Sequence, residues 1–312
     1  MVNANTEKLA APAPLASRRT GIKEPLSSRL FDATNAIVLL LLVVATVYPF
    51  YYVLMASLSD SDSLISQRGL LLWPMGFNLD AYDRVMANPN ILTGYRNTLI
   101  ILVAGTTFNL IMTALGAYAL SRKFLLKRTI MMGIVFTMYF GGGLIPHFLL
   151  VNNWLHMGNS FMALIIPGAV STWNLIVMRT SFEGIPENLV ESAKIDGCGE
   201  FGILFRIVLP LSMPVIAVMI LYYGVGYWNS WFGAMLFLQN REMFPLQLIL
   251  REILVQNSTE SMQLGSSAGD QAAIGESIKY ATIMVATLPI LFVYPFLQKY
   301  FVKGVMVGAV KE

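Results

Sequence analysis

The apolar residues of this chain gather into long runs free of charge, with the polar residues in the segments between them. No Asp, Glu, Lys or Arg lies between Asp32 and Asp60, Arg96 and Arg122, Arg206 and Arg241, or Lys279 and Lys299. An α-helix rises about 1.5 Å per residue and needs about 20 apolar residues to cross about 30 Å of hydrocarbon, so each interval fits one membrane span. The interval from Arg128 to Arg179 is also uncharged but too long for one crossing. Its polar stretch Asn152, Asn153, His156, Gly158 and Asn159 divides it into two spans and a tight turn. The pattern predicts an all-α membrane protein with six transmembrane helices, at about 33–57, 97–121, 129–151, 160–180, 207–238 and 280–299. The apolar run after Asp32 exceeds the 7 to 15 residues of a signal-peptide core and is expected to remain as the first span.

Around this six-helix domain, 33–302, residues 1–32 read as a flexible tail with Ala-Pro repeats and residues 303–312 as a second tail. Segments 58–96 and 239–279 are long enough for short helices lying along the membrane face, where Trp73, Pro74, Tyr82 and Tyr95 suit an interfacial setting. The tails and the loops on their side carry 15 Lys and Arg residues against 6 on the other, which predicts that both termini are cytoplasmic.

Composition agrees. Hydrophobic residues make up 56% of the chain and charged residues 12%, against roughly 25% charged in a soluble domain. A globule of this composition would expose large apolar patches to water. A net charge of +3, dispersed along the chain, is no nucleic-acid footprint. With Cys198 the only cysteine, no disulfide forms within the chain and no multi-cysteine metal cluster is available.

The segment between the fourth and fifth spans, 181–206, is too elaborate for a connector. Pro186 suits a first helical position, and Glu187 and Glu191 complement the positive end of a helix. Leu189, Val190, Ala193 and Ile195 give a partial apolar face, Gly197 supplies a left-handed stop, and Phe201, Leu204 and Phe205 begin a second helix. An amphipathic pair lying on the bilayer is one reading. Glu183, Glu187, Glu191, Asp196 and Glu200 outnumber Lys194, however, and anionic lipid would repel them, so a protein partner fits better.

These residues carry a family resemblance. Glu191, Ala193 and Gly197, followed after nine residues by Ile207, Leu209 and Pro210, resemble the EAA signature of ABC importer permeases at every spacing. Ser192 replaces the second Ala, small for small. Asp196-Gly197 and Pro214 resemble the carbohydrate-uptake branch. Phe140-Gly-Gly-Gly-Leu-Ile-Pro146, Ile185-Pro186, Leu209-Pro-Leu-Ser-Met-Pro214 and Tyr227-Trp-Asn-Ser-Trp-Phe232 resemble MalG-like permeases, in particular the LplC/YtcP-type subgroup linked to oligosaccharide uptake. The likeness covers roughly residues 30–312. It implies a MetI/MalG-like fold whose loop 181–206 is the coupling helix seated in a cleft of a cytoplasmic ATPase. Docking would fall to Glu187, Glu191, Ser192, Ala193, Asp196, Gly197, Cys198, Phe201, Ile207, Leu209 and Pro210. The tail Gly308, Ala309, Val310 and Lys311 would reach between two ATPase subunits, or is only a frayed basic end.

The resemblance further implies a bacterial inner-membrane importer with a second homologous permease, two ATPase subunits that bind ATP and Mg, and an extracytoplasmic sugar-binding protein. No cofactor is implied in this chain. Plant or algal polysaccharide fragments, including uronate oligomers of the alginate or pectin type, are the implied substrates. Arg96, Arg251 and Lys279 suit an acidic sugar near the entrance, although Asp80, Asp83 and Glu252 blur that signal.

The remaining motifs support transport over catalysis. There is no Gly-x4-Gly-Lys-Ser/Thr phosphate loop, and no Gly is followed by Lys, so ATP is expected to bind elsewhere. His147 and His156 do not form a His-Glu-x-x-His pair and read as packed or interfacial residues. Tyr222, Tyr223, Tyr227, Trp228, Asn229 and Trp231, and less strongly Asn97, Trp173 and Asn174, suit stacking on sugar rings and bonding to hydroxyls. Packing with an aromatic belt is the plainer alternative. Gly141, Gly142 and Gly143 allow either a helix break or close helix packing. An ion-driven secondary sugar transporter would need ionisable residues inside its spans, and a membrane enzyme a convergent set of acids and bases. Neither pattern is found.

Overall fold

The computed structural model describes residues 26–66, 69–263, 277–293 and 295. Its helices are α1 (Leu26–Ser57), α2 (Ser61–Ser66), α3 (Asp80–Ala87), α4 (Pro89–Ser121), α5 (Lys127–Tyr139), α6 (Leu144–Leu149), α7 (Met162–Ile165), α8 (Thr172–Glu183), α9 (Glu187–Ile195), α10 (Glu200–Ile203), α11 (Leu209–Leu211), α12 (Met213–Trp228), α13 (Phe232–Phe237), α14 (Leu246–Gln263) and α15 (Ser277–Val293). Short π-helical turns continue α6 through Leu150–Trp154 and join α10 to α11 through Leu204–Val208. Among the described residues the only β pairing is a single bridge, Ser59 to Phe77.

The chain divides into two units at Phe50 and Tyr51, one residue past Pro49 inside α1. In the first unit, residues 26–32 are already helical, where the sequence had suggested a tail. Ile37 to Val44 are all exposed, as the side of a lipid-facing helix would be.

The second unit is built around α4. Asn88 caps this helix, its Oδ1 accepting from the Asn90 N–H at 3.0 Å, and Pro89 occupies the first turn, where a missing N–H costs nothing. The buried face of α4 is rich in small or polar residues, Gly94, Asn97, Thr98, Gly105, Thr106, Asn109, Thr113 and Ala117, set among Ile91, Ile101, Tyr118 and Leu120. Its exposed residues are mostly apolar, among them Leu99, Val103, Phe108 and Ile111. This inversion of the soluble pattern follows from a lipid solvent, which rewards close backbone approach and polar satisfaction over burial of leucine. At Gly94 a Cβ would stand 2.7 Å from Ile249 Cδ1 and 3.0 Å from Leu246 Cα. One core joins α4 to α8, α9, α10 and α12 through Ala117, Met178, Phe182, Val190, Ile203 and Met219. A second core joins α3, α4, α12, α14 and α15 through Val85, Ile91, Trp228, Ile249 and Val285.

Several expected spans are not single helices. The run 129–151 bends by 109° between Tyr139 and Leu144, where Gly143 takes φ +85°. Nothing lies within 4 Å of a Cβ placed on Gly141 or Gly142, so within this chain these glycines form a break and not a close contact. The run 160–180 splits into α7 and α8 at Pro167-Gly168, where Ile166 is still helical but Pro167 has no N–H to continue the ladder. The run 207–238 bends by 86° at Ser212, between Pro210 and Pro214, which lack N–H donors and crowd the preceding turn. Among the described residues, Ser27–Ser57 and Pro89–Ser121 are long and apolar enough to cross a membrane alone, and each bent pair adds at most one span.

Candidate functional site

Two features stand out, a helix–corner–helix element at one end of the α4 core and a polar cleft inside it. In the first, α9 opens at Glu187 with Pro186 at the cap position, one residue ahead of the expected place. It closes in a Schellman motif. The Cys198 N–H donates to Ala193 O at 2.9 Å, the Gly197 N–H to Lys194 O at 3.0 Å, and Gly197 takes φ +77°. A non-glycine residue there would strain the backbone although its side chain would meet nothing. α10 then starts at Glu200.

The element's inner face is firmly seated. Val190, Ala193, Ile203, Leu204 and Val208 are buried, and Cys198, Ile207 and Leu209 pack half-buried against the same core. Of the residues expected to dock a partner, Ala193, Ile207 and Leu209 therefore belong mainly to the fold. Glu187, Glu191, Ser192, Asp196, Gly197, Phe201 and Pro210 are exposed. Beside them stand apolar side chains with nothing over them: Ile195 is 85% exposed, Phe201 71% and Phe205 57%. Gly308, Ala309, Val310 and Lys311 lie outside the described residues.

Ion pairs tie the element to the segment after α4, tie the adjoining end of α8 to α5, and brace the corner within the element. Lys123 meets Glu187 at 2.8 Å, Lys127 and Arg179 meet Glu183 at 2.6 and 2.8 Å, and Lys194 meets Glu200 at 2.7 Å. The Tyr118 hydroxyl donates to the Glu200 carboxylate, and the Arg122 guanidinium lies 4.5 Å over the Tyr118 ring. Lys123 holds the Glu187 carboxyl below its ordinary range, and Lys194 with Tyr118 does the same for Glu200. Partial burial pushes Glu183 up, but Lys127 and Arg179 outweigh it and leave the group lowered. Three of the five acids that had argued against a lipid surface are thus neutralised within the chain. The exposed apolar triad is the stronger sign of a protein partner. The anchors on α4 and α5 were missed in the sequence, although the cluster Arg122, Lys123, Lys127, Arg128 opposite an acidic loop was the signal for them.

The cleft, of about 530 Å³, is lined by Trp173, Asn174, Tyr222, Tyr223 and Tyr227 of the expected set. Trp228 and Asn229 are elsewhere. Trp228 is buried with its Nε1 donating to Ala286 O at 3.4 Å, and Asn229 Nδ2 donates to Val225 O at 2.9 Å at the end of α12. Successive helix positions turn by about 100°, so five neighbouring residues cannot share one wall. Asn97 is also structural, its Nδ2 donating to Glu242 O at 2.7 Å and Phe244 O at 3.1 Å. Asn109 and Ser171 line the cleft without having been singled out in the sequence. Asn109 Nδ2 donates to Gly168 O at 3.1 Å while its buried Oδ1, beside Tyr227, makes no well-formed hydrogen bond. Behind the wall the Tyr223 hydroxyl bonds Thr113 Oγ1 at 2.6 Å and accepts from the Ser171 N–H at 3.1 Å.

A set of apolar helices with an uncharged cleft lined by aromatic and amide side chains, and an exposed helix–corner–helix element packed on the same helices, suits a transport permease. The chain belongs to the family of binding-protein-dependent transport system inner membrane components, which matches residues 111–307. It is a permease of an ABC importer and not an enzyme, with the ATPase a separate subunit. It is 40% identical, over 92% of its length and 100% of the relative's, to the polygalacturonan/rhamnogalacturonan transport system permease protein YtcP of Bacillus subtilis. It is 39% identical to protein LplC of the same organism, over 91% of this chain and 96% of that one. A chain in the crystal structure of a bacterial ABC transporter involved in the import of the acidic polysaccharide alginate superposes with a TM-score of 0.80 at 31% identity, covering 89% of this chain and 99% of that one.

Proposed function

We propose that this permease imports oligosaccharide fragments of acidic polysaccharides across the bacterial cytoplasmic membrane by ATP-driven alternating access. The observation that carries the reading is the lining of the cleft. Trp173, Tyr222 and Tyr227 offer aromatic faces to sugar rings, Asn109, Asn174 and Ser171 offer groups for hydroxyls, and no charge fixes one saccharide in place. The acidic class is supported by the relatives, one named for polygalacturonan and rhamnogalacturonan and the other for alginate import.

In this reading residues 33–302 cross the membrane six times with both termini cytoplasmic. The element 181–206 docks in an ATPase subunit, and Gly308–Lys311 reaches between two such subunits. A second homologous permease completes the pathway, an extracytoplasmic binding protein delivers the sugar, and ATP with Mg acts in the ATPases. Closure of the ATPases moves the element as a rigid piece, because the core beneath it is close-packed. Since that core includes Tyr223 and the helices α4, α8 and α12, the movement reaches the cleft walls. The coupling is reciprocal, so sugar delivery outside favours ATP turnover inside.

The test is ATPase rate of the assembled transporter, reconstituted with its binding protein, against galacturonate, mannuronate and neutral oligosaccharides, for wild type and Gly197→Pro. Acidic oligomers stimulate the wild type, and the variant loses that stimulation because proline cannot take φ +77°. Equal stimulation by neutral sugars overturns the substrate class. Full stimulation in Gly197→Pro overturns the coupling role of the element.

A further inference from the structure

Beside the proposed docking element, α5 and α8 flank an open groove of about 860 Å³ that the transport reading does not use. Met132, Phe136 and Ile176 lie along its apolar floor, and Lys127, Arg128 and Arg179 line its rim. Lys127 and Arg179 are held in place by sharing Glu183 Oε1, so three cations face one carboxylate and the rim keeps a net +2. Arg128 stands exposed beside them. From Lys127 to Phe136 the helix advances nine residues, about 14 Å, which is close to half of a hydrocarbon layer of about 30 Å. A basic rim over an apolar slot one leaflet deep has the shape and charge of one amphiphile. We propose that this groove is a binding site for an anionic phospholipid, its phosphate at Arg128, Lys127 and Arg179 and one acyl chain along Met132 and Phe136. The lipid occupies the leaflet at the docking-element end and lies against α8, a helix that also lines the cleft.

The test uses the assembled transporter in phosphatidylcholine vesicles doped with phosphatidylglycerol that carries a photoactivatable acyl chain. The label is expected on α5 and α8 near Met132 and Ile176, and to fall about fivefold in Arg128→Gln, the worth of one basic contact to an anionic headgroup. It falls likewise in Met132→Trp, which fills the slot without changing charge. Both variants are compared on transporter that retains its ATPase subunits. Excess glycerol phosphate leaves the label in place if the site holds lipid, whereas displacement reassigns it to free phosphate. The proposal is overturned if phosphatidylcholine bearing the same chain labels equally, or if Arg128→Gln changes nothing. It is also overturned if a photoreactive benzoylphenylalanine at Met132 joins the second permease in place of lipid.

Discussion

Tyr223 shows how one hydroxyl can hold a membrane core together. It bonds Thr113 on α4 and takes the backbone N–H of Ser171 just ahead of α8, so three chain segments meet at one oxygen. Tyr223→Phe removes the oxygen and leaves a buried hydroxyl and a buried amide to find other partners, at about 1–3 kcal/mol. Thermal unfolding of the assembled transporter is expected to fall accordingly, with more loss than for Tyr222→Phe, whose side chain is exposed. Equal loss in the two variants would show that Tyr223 acts by ring packing alone.

At the scale of elements, the helix–corner–helix is stapled by carboxylates whose folded-state pKa values are lowered. Their contribution is present above the ordinary glutamate value of about 4.3 and is lost as pH falls through the lower folded-state values. The same pair raises Lys123, so that contribution is lost again only above the ordinary lysine range. Amide-exchange protection of α9, corrected for intrinsic rate, is therefore expected to stay flat near neutrality and to drop below roughly pH 4. A drop between pH 6 and 7 would mean that other groups hold the element down.

This element was legible in the sequence because its signals are local, an N-terminal Pro186 and a C-terminal Gly197 that bracket the nine-residue helix. The bends were half legible. Pro167, Pro210, Pro214 and Gly143 were visible, but a charge-free interval reports length and says nothing of direction, since hydropathy is the same on both sides of a kink. The cleft was read too broadly along α12 and too narrowly elsewhere. Composition found Tyr222, Tyr223 and Tyr227 together with Trp228, which helical phase turns away. Asn109 is distant in sequence from these tyrosines, and only the recurrence of small and polar residues from Gly94 to Thr113 marked its face of α4 as buried.

At the scale of the whole molecule, Ile195, Phe201 and Phe205 present apolar surface on an element otherwise rich in charge. Burying one such side chain is worth about 1.5–3 kcal/mol, so Phe201→Ser is expected to weaken retention of the ATPase subunits roughly tenfold or more. Size-exclusion chromatography of the extracted complex reads this directly. Undiminished retention would place the ATPase contact elsewhere on the cytoplasmic surface.

Cys198 is the chain's only sulfhydryl, set at the corner between α9 and α10 and half-buried. Its Sγ fills the space that a Cβ on residue 202 would enter, at 2.6 Å, so Gly202 leaves room for the thiol. The natural sequence thus comes with a unique attachment point for a maleimide dye or a nitroxide at the corner of the proposed docking element. A spectroscopist can watch that corner in real time without first removing any other cysteine from this chain.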